Sequence, residues 1–241
     1  RGERNFMKVL FDDPDIIILD KPAGLATANS PRGDNSLYVE LIKKFGDGCF
    51  VGVVSRLDKP VSGVVIFGKN KPAAACLAKQ FRDRTVMKEY VAVVEKRFPS
   101  ALGTWVTWRD RVRWDDTSRR AVVDRQEEHG HAPKKLEEVD GLSAETVARV
   151  IKRAGEVSLV ELQPRTGRRH QLRVQLASRG CPIVGDRMYG SRLPLKSEDI
   201  MTIALHAQKL TFDHPSTGVR TTVEAEIPRF WKAQYNILFP Q

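Results

Sequence analysis

Cysteine is scarce in these 241 residues: only Cys49, Cys76 and Cys181 occur, far apart and without a Cys-x-x-Cys. An odd, scattered set excludes a disulfide framework and fits a reducing compartment, so a cytoplasmic location is expected. The five histidines (His129, His131, His170, His206 and His214) show no metal-ligand spacing, and no metal site is expected. No apolar run approaches the roughly 18 residues of a membrane span. Charge throughout residues 1–30 leaves no visible signal peptide. The chain starts at Arg1, not Met, which leaves room for an upstream segment outside it. No Gly-x-Gly-x-x-Gly follows a strand pattern and no P-loop is present, so no nucleotide cofactor is expected. No internal repeat is visible.

What is abundant is positive charge. Lys and Arg total 40 against 30 Asp and Glu, a net charge of +10. That excess favours a polyanionic partner, nucleic acid first and an anionic membrane surface second. The hydrophobic content of 41% is enough for a real core. The length suits one large domain or two small ones.

The order of elements points to α+β with a mixed, mostly antiparallel sheet and flanking helices. Residues 6–20 read as two short strands around Asp12-Asp13-Pro14, with Ile16-Ile17-Ile18-Leu19 buried. Asp34 or Asn35 caps a helix to about Phe45, and Asn70 caps another to about Arg84. Strands follow at Lys88–Glu95, 104–114, 146–153 and 157–162, and late ones at 203–212 and 221–227, before a closing helix at Phe230 and Trp231. Residues 115–145 are polar and read as an insertion or long hairpin. Trp105, Trp108 and Trp114 stand among Arg109, Arg111 and Arg113, either as base-stacking aromatics or as core residues of an ordinary strand.

The central stretch is Val54-Ser55-Arg56-Leu57-Asp58-Lys59-Pro60-Val61-Ser62-Gly63. It places one carboxylate, Asp58, between two cations on a loop stiffened by Pro60 and bent at Gly63. Such a position serves a turn residue or a catalyst. Further on, a helix is expected to start at Thr166 or Gly167 and end before Gly180. On its wheel Leu172, Leu176, Ala177, His170 and Val174 share an apolar arc, Gln171, Gln175, Ser178 and Arg179 the other side, and Arg173 falls within the apolar arc. A guanidinium there needs an anion. Asp58 is one nominee; Asp186, or an escape of the side chain to solvent, is the alternative.

Taken together, Arg56-Leu57-Asp58-Lys59-Pro60 with Ser62-Gly63, Lys88-Glu89-Tyr90, and Thr166-Gly167-Arg168 with His170-Gln171-Leu172-Arg173 resemble the RluA-type pseudouridine synthase family. Lys21-Pro22-Ala23-Gly24, Val184-Gly185-Asp186 with Tyr189-Gly190, and Leu205-His206-Ala207 fit as well, in the family's order. The resemblance implies a pseudouridine synthase fold, one catalytic domain over 1–241, and isomerisation of uridine in ribosomal or transfer RNA without metal or organic cofactor. It assigns the catalytic aspartate to Asp58, the aromatic that stacks on the target base to Tyr90, and the basic partner of the aspartate to Arg173. Arg56 is expected to enter the RNA stack when the base leaves it. Two positions depart from the pattern: Ser55 stands where His is usual, and Arg169 where Thr is common. The chain has no room for the small RNA-binding domain many relatives carry upstream. Its own Lys21, Arg165, Arg168, Arg169 and His170 are therefore expected to meet RNA.

The chemistry needs one ionised carboxylate to attack C1′ or steady positive charge there. Hydrolysis needs a second carboxylate to handle water, and the motifs supply none. An idle RNA-binding protein on the same fold is the competing expectation.

Overall fold

Ile16, Ile17, Ile18 and Leu19 are each fully buried, the pattern of a strand covered on both faces. They belong to β2 (Ile16–Lys21), which lies between β1 (Lys8–Asp12) and β4 (Ser62–Gly68). The computed structural model describes residues 8–28, 35–46, 48–96, 98–124, 142–197 and 201–239. Within it these strands open an 11-stranded sheet. The others are β3 (Gly52–Val53), β5 (Met87–Glu95), β6 (Val106–Asp115), β7 (Arg120–Asp124), β8 (Leu142–Ala154), β9 (Val157–Pro164), β10 (Leu205–Asp213) and β11 (Arg220–Glu224). The order is β1-β2-β4-β10-β5-β9-β8-β6-β7, with β3 on β4 and β11 on β10. Every pairing is antiparallel except β4 with β10, which run parallel at His206–Ser62 and Ala207–Gly63. The mixed, mostly antiparallel sheet is the one expected.

Alternation along β2 and β4 decides which helix covers which face. Ile17, Leu19, Val65 and Phe67 pack on α1 (Leu37–Phe45) through Leu37 and Leu41. Ile16, Ile18, Val64 and Ile66 pack on α2 (Lys71–Asp83) through Ala73 and Leu77. Asn70 caps α2 as expected, accepting the Ala73 N–H. The cap of α1 is Ser36, whose hydroxyl accepts the Val39 N–H, while Asn35 donates to Glu40 instead. Asp34 lies outside the described residues.

At the crossing of β4 and β10, Gly63 has φ +115°, and a Cβ there would fall inside the Ala207 carbonyl. Only glycine lets these strands meet directly beside the Asp58 loop.

Some boundaries differ from expectation. Of the expected insertion at 115–145, residues 115–124 fall in the β6–β7 hairpin, 142–145 open β8, and 125–141 lie outside the described residues. Strand β11 stops at Glu224, and the closing helix, α4 (Arg229–Gln234), follows Pro228, which has no N–H for a ladder. The strand reading of 104–114 holds. Trp108 is buried in the core and Trp105 is exposed beneath Arg149, but Trp114 lies beside the candidate site.

Candidate active site

Residues 54–61 join β3 to β4, and the loop is fastened on both sides of Asp58. Ahead of it, the Thr27 hydroxyl donates to the Leu57 carbonyl (3.0 Å) and accepts the Leu57 N–H (3.1 Å). Behind it, the Lys59 carbonyl accepts from the Gly24 N–H (2.8 Å) and from the Lys21 ammonium (3.2 Å). Val61 N–H closes a turn onto the Asp58 carbonyl at 3.0 Å. This corrects the expectation for Lys21. The side chain is fully buried and its ammonium also donates to the Pro22 and Leu25 carbonyls, so it braces the loop rather than facing a phosphate.

Arg173 comes from α3 (Gln171–Ser178), which starts later than expected. Gln171 explains the delay. Its side-chain oxygen accepts from the Arg168 N–H and the Thr166 hydroxyl, holding 166–170 as turns, and His170 takes a left-handed φ of 55°. The polar side of the wheel is not solvated either: Gln171 and Gln175 are buried and hydrogen-bond to Thr146 and Asp110. The guanidinium finds both nominated acids. Arg173 donates to Asp186 from Nε (2.7 Å) and Nη2 (2.9 Å), and to Asp58 Oδ2 from Nη1 (3.2 Å). Burial works against its charge. Asp186 first and Asp58 second outweigh burial and hold its pKa above the ordinary guanidine value.

His170 faces the same carboxylate oxygen, Nε2 to Asp58 Oδ2 at 3.7 Å. Its tautomer follows from its neighbours. With the Asp58 carboxylate facing Nε2, the ring proton is assigned to Nε2, and Nδ1 accepts from the Tyr189 hydroxyl at 2.9 Å, which itself accepts the Ala121 N–H. Burial pushes the His170 pKa down, Arg173 and Arg169 push the same way, and Asp58 opposes them. The Trp114 ring meets His170 edge-on at 5.4 Å, and Arg169 lies over Trp114 at 3.4 Å. The departure at Arg169 is thus matched by an aromatic partner on β6.

Tyr90, half-buried on β5, lines the same cavity of about 120 Å³ as Asp58, Arg56, Lys88, Arg168, His170 and Arg173. Burial and the nearby Asp58 charge raise the Tyr90 pKa, so its phenol keeps its proton at neutral pH. The cavity opens into a groove of about 590 Å³ that shares Arg56, Lys88, Tyr90 and Arg168 and adds Arg165. Arg56 and Arg165 are exposed there. Arg169 is exposed on Trp114 and lines neither space. A larger cavity, about 870 Å³, is bounded by Lys8, Asp20, Ser62, His206, Glu226 and Phe230 and includes neither Asp58 nor Tyr90.

Thr27, Tyr189 and Lys88 were not singled out from the sequence as site residues. Lys88 carried a signal: it stands two positions from Tyr90 on an alternating strand, hence on the same face. The nearest thing to a metal-ligand set among the described residues is Asp13, Asp15 and His214. Every carboxylate oxygen there already accepts a protein hydrogen bond, from backbone N–H groups, His214, Asn70 or Ser216, so the cluster stitches two turns together. Among the described residues no helix is long and apolar enough to cross a membrane.

Residues 15–178 match the family described as RNA pseudouridylate synthase. The chain is 31% identical to ribosomal large subunit pseudouridine synthase D of Zymomonas mobilis, over 96% of this chain and 73% of the relative. It is 29% identical to tRNA pseudouridine synthase C of Pasteurella multocida, over 96% of each. The fold is that of human RNA pseudouridylate synthase domain containing 4, with a TM-score of 0.70 and 24% identity over 95% of this chain and 92% of the human one. On this match, which spans the Asp58 loop, the chain belongs to the RNA pseudouridylate synthase family.

Proposed function

We propose that the chain isomerises uridine to pseudouridine in ribosomal or transfer RNA, with Asp58 acting at C1′. The observation that carries the reading is the asymmetry of its carboxylate. Oδ2 faces Arg173 and His170, whereas no described residue hydrogen-bonds or pairs with Oδ1. Oδ2 is the anchored oxygen and Oδ1 the reacting one. As the C1′–N1 bond breaks, Oδ1 bonds to C1′ or stands against its positive charge. The uracil, held against the Tyr90 ring, turns and presents C5. The C1′–C5 bond then forms and any Oδ1–C1′ bond breaks, returning the carboxylate; C5 loses its proton and N1 gains one, so no atom is added or lost overall.

A stacked uridine cannot bring C1′ to a half-buried acid, so the nucleotide is flipped out at a cost of a few kcal/mol. Arg56, exposed at the mouth of the cavity, offsets part of this by filling the gap in the stack. Hydrolysis is disfavoured by Asp186. Among the described residues it is the one other carboxylate on Arg173, 1% exposed with both oxygens on the guanidinium, so it is not placed to activate water. The relatives' names support ribosomal or transfer RNA as the substrate class. Three free thiols support the cytoplasmic location. The described chain works as one catalytic domain that binds RNA with its own surface.

The test is nucleoside mass spectrometry of RNA incubated with the chain. Pseudouridine at the expense of uridine is the expected outcome. Free uracil with abasic RNA indicates a hydrolase, and unchanged nucleosides indicate the idle RNA-binding protein.

A further inference from the structure

The groove beside the Asp58 cavity holds six cations and no acid: Arg56, Arg82, Arg84, Lys88, Arg165 and Arg168. Among the described residues none of the six is in an ion pair. Elsewhere on the sheet several guanidiniums do have a carboxylate partner, as in Arg109–Glu145, Arg113–Asp124, Arg149–Glu161 and Arg220–Asp213. Six cations with no acid among them thus share one recess. Clustered like charges repel, and the repulsion persists in the free protein unless an anion meets it. Lys88 shows the cost: burial first, then Arg84 and Arg165, bring its pKa down to about 8.

The shape gives the direction. Arg56, Lys88, Tyr90 and Arg168 line both the groove and the Asp58 cavity, whereas Phe81, Arg82, Arg84 and Arg165 line the groove alone. It therefore runs from the catalytic loop to the C-terminal end of α2, where Arg84 caps the helix in a left-handed conformation. Lys88 and Tyr90 point the same way from β5, about 7 Å apart. A recess with cations along it and an aromatic residue toward each end suits a single strand, whose phosphates and bases alternate. A duplex carries its phosphates on a broad convex face.

We infer that this groove binds the single-stranded RNA flanking the target uridine on one side, its phosphates meeting Arg82, Arg84, Lys88 and Arg165. The identity of the strand rests on the RNA-isomerase reading, and the role of α2's end goes beyond it. Neither Arg82 nor Arg84 belongs to the motifs of the catalytic loop or of α3.

The test is the salt dependence of binding to a fluorescent RNA carrying uridine in a loop, for the native chain and for Arg82→Ala/Arg84→Ala. Both side chains are exposed, and an unchanged thermal melt checks the fold. With about 0.7 counterions released per phosphate of a single strand, the slope of log Kd against log salt falls by about 1.4 in the variant. When the native chain meets RNA with methylphosphonate linkages on that flank, all four contacts go and the slope falls by about 2.8, and the variant and the native chain then bind this RNA alike. An unchanged slope, a loss that persists on the neutral flank, or equal effects of neutralising either flank overturns the assignment. Pseudouridine formation is scored separately on the same RNAs. Absent product with the expected slopes removes the isomerase reading and leaves the groove, while product with unchanged slopes does the reverse.

Discussion

Arg173 and Asp186 form a two-pronged pair, Nε to Oδ2 at 2.7 Å and Nη2 to Oδ1 at 2.9 Å, with both side chains at most 5% exposed. That pair leaves one nitrogen, Nη1, for Asp58. Asp186 therefore aims the guanidinium, and Asp58 receives it.

Asp186→Asn is expected to cost about 3 kcal/mol of stability, because a buried guanidinium loses its better carboxylate. Turnover is expected to fall as well, since Arg173 is free to swing off Asp58. Urea melts and single-turnover rates below the melt check this. Lost stability with full turnover in the folded fraction contradicts the aiming role.

Gly63→Ala is expected to cost at least about 2 kcal/mol, since it puts a side chain at φ +115° against the Ala207 carbonyl. Because Gly63 lies five residues from Asp58, the loop shifts with the strand. The urea midpoint is the measurement, and an unchanged midpoint shows that β4 and β10 yield without penalty.

RNA affinity is expected to depend on pH through Lys88. The groups facing it are Arg84 from the end of α2, Arg165 and the Thr166 carbonyl from the 165–168 turn, and Tyr90 on its own strand. Its pKa of about 8 in the free chain rises when phosphate arrives, so binding takes up a proton between the two values. Affinity is full below pH 8 and weakens as pH rises past it, by up to about tenfold at pH 9. Lys88→Arg, which stays charged, is expected to remove the slope; equal slopes in both chains contradict the assignment.

Acid is expected to destabilise the fold through His206. The Ser62 hydroxyl donates to its Nδ1 at 2.8 Å and its Nε2–H donates to the Ala225 carbonyl at 3.3 Å, so the ring is held neutral. Burial brings its pKa down to about 4, against a smaller opposing effect of the Ala225 carbonyl. The unfolded chain takes the proton first, near pH 6.5, so stability is intact above that pH and falls as pH drops toward 4, by about 3 kcal/mol in all. His206→Asn is expected to be less stable at pH 7 but flatter between pH 6.5 and 4. An equally steep loss assigns the acid sensitivity to other groups.

The sequence made the sheet and the loop legible where local chemistry was decisive. Asn70 ahead of Pro72 marked α2, and Ile16–Leu19 marked a strand buried on both faces. Asp58, Tyr90 and Arg173 were reached from motifs, and the sheet brings them to one cavity. What was not legible depended on distant partners. Lys21 looked like a surface cation because nothing local shows that three carbonyls converge on it. Gln171 and Gln175 looked solvated because Thr146 and Asp110, which meet them, lie on other strands. The choice between Asp58 and Asp186 for Arg173 was left open by the sequence, and the fold answers it with both.

The most direct measurement is tritium release from RNA labelled at C5 of uridine, with the native chain and with Asp58→Asn. The account predicts release by the native chain and none above background by the variant, whose melt and RNA affinity stay near native. Release that survives the substitution contradicts it, because Oδ1 of Asp58 is then not the oxygen that acts on C1′.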